Sequence, residues 1–128
     1  MAYSDFKTIA QVQEKFNLEV DPSGQLFERI QPLEVSDFLQ QIIQRNLFVA
    51  NAVNTEKARS ELLIAPILLE VRQILKEQVS FFSGTEFNVD PEFGLTGFCD
   101  FLLTASPEIY EIHSPVITIV PSWHFLPY

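Results

Sequence analysis

Apolar residues recur along this chain first at helical and then at strand spacing, and the change falls near Gln78. Thr8-Ile9-Ala10-Gln11 has the form of a capping box, and Ile9, Val12 and Phe16 then follow on one helical face, with Asn17 as a stop. Leu18-Glu19-Val20 reads as a short edge strand, and Asp21-Pro22-Ser23-Gly24 as a turn. Ser36 can cap a second helix carrying Phe38, Leu39, Ile42, Ile43 and Leu47. Asn54 or Thr55 opens the longest helix, which the pattern extends to about Gln78. Ala58, Leu62, Ala65 and Leu69 form its apolar stripe. Pro66 lies inside it and predicts a kink near Leu62, because proline donates no backbone hydrogen bond and crowds the carbonyl four residues earlier.

Strand signals follow. Val79 to about Asp90 is rich in Phe and Val, with Gly84 as a candidate bulge. Asp90-Pro91-Glu92-Phe93-Gly94 is a loop by its turn residues. Leu95–Thr104, Ile109–Ile112 and Val116–Val120 complete a predicted meander, with tight connections favouring antiparallel neighbours. The expected fold class is α+β: N-terminal helices packed on a three- to four-stranded, mainly antiparallel sheet. Residues 1–53 read as a helical cover, 54–120 as the core and 121–128 as an atypical tail, together making one domain of 128 residues.

Charge narrows the function classes. The net charge of −9 works against phosphate binding, which draws its affinity from Lys and Arg. All eight basic residues lie at or before Lys76, whereas seven acids and no Lys or Arg follow it. The longest apolar run, Leu62–Leu69, is too short for a membrane span, and no secretory leader is visible, so a cytoplasmic protein without a membrane partner is expected. Cys99 sits in a strand pattern and reads as a small core hydrophobe rather than a reactive thiol. His113 and His124, with no clustered Cys, do not suggest zinc. Glu86, Asp90 and Glu92 bunch near a turn, where a solvated loop is the simpler reading than a Ca²⁺ site.

Two acids stand out from their apolar surroundings. Asp100 lies within Gly97-Phe98-Cys99-Asp100-Phe101-Leu102-Leu103, a strand apolar on both faces, so partial burial is expected for it. A buried carboxylate needs hydrogen bonds, a cation or a proton. Glu61 falls inside the stripe of the long helix, facing the expected core, with Lys57 four residues upstream as an alternative partner. A helix acid and a strand acid brought together could hold one Mg²⁺, which favours carboxylates and water and can activate a water for phosphoryl chemistry.

The order of elements, with Gly97–Leu103 followed by Val116-Ile117-Thr118-Ile119-Val120, resembles the PD-(D/E)XK nuclease-like (restriction endonuclease-like) superfamily, and more closely an uncharacterised bacterial branch of it. The resemblance implies an αβββ core, Mg²⁺ as cofactor and nucleic acid as partner. It also matches Asp100 to the first metal-binding acid and Glu61 to the acid on the preceding helix. The acid-any-Lys motif that should follow the third strand falls on Pro121, Ser122 and Trp123 instead. Without that acid and lysine, the resemblance implies a truncated core that is catalytically incomplete and holds no metal tightly. Two alternatives remain at this point: a protein-interaction or self-associating module, and an active metal-dependent nuclease using Glu61 and Asp100 alone.

Overall fold

The computed structural model describes residues 5–24, 30–112 and 116–119. Among the described residues three α-helices, a π-helical segment, a fourth α-helix and three strands follow one another, and the fold class is α+β as expected. No described helix is long and apolar enough to cross a membrane. By internal contacts the chain divides into two compact units: Met1–Glu34 with Glu86–Gly97, and Val35–Thr85 with Phe98–Tyr128.

In the first unit, α1 spans Ile9–Phe16. Thr8 and Gln11 form the capping box, and Asn17 closes the helix in the left-handed conformation with φ 51°. The Phe16 ring lies 5.7 Å from Phe6 and 6.5 Å from Phe93. Lys15 joins the same group: its Nζ donates to the Phe93 carbonyl at 2.6 Å and sits 5.0 Å from the Phe6 ring centre. Leu18-Glu19-Val20 is irregular, which corrects the expected edge strand; each of the three residues is exposed, and three residues alternate too briefly to define a buried face. The turn at Asp21 forms as read, with the Asp21 carboxylate accepting from the Ser23 backbone and hydroxyl.

In the second unit, α2 covers Asp37–Val53 and begins at Ser36, whose hydroxyl accepts from the Leu39 N–H. The Ser36 N–H in turn donates to Glu70 at 3.0 Å, which ties the start of α2 to α4. Asn54 ends α2 rather than opening the next helix, and Thr55 caps α3, Glu56–Arg59. The helix then widens into a π-turn over Ser60–Ile64 before continuing as α4, Ala65–Ile74. This is how the predicted disturbance near Leu62 is realised. Pro66 has no N–H to offer the Leu62 carbonyl, and Asn46 of α2 supplies the donor instead, at 2.9 Å. The helix stops at Ile74 rather than Gln78, since Lys76 and Glu77 both turn left-handed, at φ 53° and 59°. Glu77 donates its N–H back to the Arg72 carbonyl and pairs with the Arg72 guanidinium at 3.5 Å.

The strands are β1, Ser80–Glu86; β2, Phe98–Thr104; and β3, Val116–Ile119, in the sheet order β1-β2-β3. β2 and β3 pair antiparallel, with Phe101 opposite Ile119 and Thr104 opposite Val116. The segment Ile109–Ile112 forms bends, not the fourth strand expected; Tyr110 donates its N–H to its neighbour Glu108, a local bond of the kind that competes with a ladder. Gly84 adopts φ 61° within β1, a conformation a side chain would strain. The core gathers Phe101 and Leu103 of β2 with Leu68 of α4, and Ile64, Ala65, Val71 and Phe81 pack round them. Phe81 stacks on Phe101 with ring centres 5.7 Å apart. Residues 113–115 and 120–128, which include both histidines and the tail, lie outside the described residues.

Candidate functional site

Strand alternation fixes where Asp100 points. Cys99, Phe101 and Leu103 are buried on one face of β2, and Phe101 and Leu103 meet α4 there. Asp100 belongs to the other face, with Phe98, Leu102 and Thr104. Leu102 and Thr104 are sealed, but Phe98 is 75% exposed and Asp100 is exposed as well. The expectation of a partly buried Asp100 is therefore corrected. Apolar neighbours in sequence cover a carboxylate only if something packs over that part of the strand.

Glu61 lies in the π-turn. Its side chain is 64% exposed and its carboxylate sits 3.8 Å from the Lys57 Nζ. The core-facing placement expected from the apolar stripe is corrected too. A π-turn adds a residue to one turn, so the 3.6-residue projection that put Glu61 in line with Ala58 and Ala65 loses its phase across residues 60–64. What remains is the ion pair at four-residue spacing, which in water contributes about 0.3–0.5 kcal/mol.

These placements bear on whether the two acids could share a metal. Glu61 rides on the helix that covers the Phe101 and Leu103 face, while Asp100 projects from the opposite face. Both are solvated, one is engaged by a lysine, and among the described residues no group of three or more His, Cys, Asp or Glu comes together to hold an ion. A divalent cation needs several oxygens converging on one point.

The acidic turn in the first unit is organised by its own backbone. One Asp90 carboxylate oxygen accepts from the N–H groups of Glu92 and Phe93, and Glu86 accepts from the Asn88 side chain at 3.0 Å. Asn88 also accepts from the Gly97 N–H, so it fastens the two limbs of the loop. Cys99 is buried, in keeping with a packing role.

One apolar surface was not singled out by sequence reasoning. Between α2 and α4 lies a cleft of about 570 Å³ lined by Phe38, Leu39, Ile42, Pro66 and Leu69, with Arg72 and Gln73 among its polar neighbours. A second apolar hollow of about 410 Å³ is formed by Val35, Leu39, Ile43 and Ile67 with two glutamines. Phe38 and Phe48 on α2 are 71% and 80% exposed, and Leu69 of α4 is about half exposed. The signal was present in the sequence: α2 carries apolar residues on more sides than one neighbouring helix can cover. No protein-family profile, curated protein or solved structure matches this chain.

Proposed function

We propose that this chain is a non-catalytic domain of nuclease-like ancestry that serves as a protein-interaction module. The observation that carries the reading is the apolar surface of α2 and α4, where the exposed Phe38 and the half-exposed Leu69 line a formed cleft. Exposed apolar residues collected round a concavity mark contact sites more often than idle surface. The nuclease-like ancestry rests on the strand pattern round Asp100 and its sequel at Val116, and the loss of catalysis on the missing acid-any-Lys motif, with Glu61 and Asp100 both exposed to solvent. A net charge of −9 favours a protein partner over nucleic acid.

Sedimentation velocity over a range of concentrations tests the interaction half. Reversible association, weakened by Phe38→Ser, is the expected result; a strict monomer that stays inert toward every partner offered would count against the reading. The catalytic half is tested by incubating plasmid and single-stranded DNA with Mg²⁺ or Mn²⁺. No turnover is expected, and cleavage abolished by Asp100→Ala would restore the active-nuclease alternative.

A further inference from the structure

We draw no further inference here: the strongest candidate, the apolar cleft between α2 and α4 lined by Phe38, Leu39, Ile42, Pro66 and Leu69, belongs to the surface already described and nothing in the structure shows what covers it.

Discussion

Phe98 and Asp100 share a face of β2 with Leu102 and Thr104, yet the first pair stands in solvent and the second is buried. The composition changes little along the strand; its surroundings do. At the far end the described ladder joins Phe101–Thr104 to β3, and the Ser80 hydroxyl donates to the Ser106 carbonyl at 2.7 Å, with the Thr104 hydroxyl 3.5 Å from the same oxygen. Alternation tells which face an acid takes, but only the elements packed along that face decide whether it is desolvated and hence chemically unusual.

Substitutions along the strand put this contrast to the test. Phe101→Ala should cost about 3–5 kcal/mol in chemical denaturation, because it removes the ring that Phe81 stacks on and opens a cavity against Leu68. Phe98→Ala, three positions away, should change stability by no more than about 0.5 kcal/mol. Equal costs would erase the distinction between the two ends.

Two polar substitutions probe the links that seal the buried region. Asn46→Ala should cost about 1–3 kcal/mol, because the Leu62 carbonyl, already denied a donor by Pro66, loses its replacement. Stability unchanged on that substitution would mean that solvent satisfies the carbonyl equally well. Ser80→Ala should cost roughly 1 kcal/mol through the Ser106 bond, read by the same denaturation experiment.

The smallest effects belong to exposed carboxylates. Glu61→Gln and Asp100→Asn should each shift stability by less than about 0.5 kcal/mol, and neither should alter thermal stability differently with and without Mn²⁺. A Mn²⁺-dependent stabilisation lost in both variants would show that the acids do act together. Asp21 differs from them because its own turn holds it. The Ser23 hydroxyl, and then the Ser23 N–H, lower its pKa below the usual aspartate value. A depressed carboxyl supports the fold above the unfolded-state pKa, and that support fades as pH falls through the folded value. In an NMR titration Asp21 should therefore protonate below the ordinary range, and Ser23→Ala should move it upward.

Much of the fold was legible in short stretches. Thr8 with Gln11, Ser36, Thr55, Asn17 and the Asp90–Gly94 turn act through bonds to residues two to four positions away, so their signals survive without knowledge of the rest. Pro66 likewise announced a disturbed helix near Leu62. The strand cores round Phe81, Phe101 and Val116 were readable from their β-branched and aromatic content, while the Ile109–Ile112 segment had the composition without the pairing.

Local sequence was enough to set the α+β order, the capped helix starts and the tight turns, and residues 77–128 carry no lysine or arginine. Long-range packing exposes Asp100 and Glu61 to water, lets Asn46 and Glu70 tie α2 to the following helix, and leaves an apolar cleft between α2 and α4. The reason is range. A cap or a turn is closed by near neighbours in the chain, whereas desolvation and shared surfaces depend on segments far apart in sequence that only folding brings together.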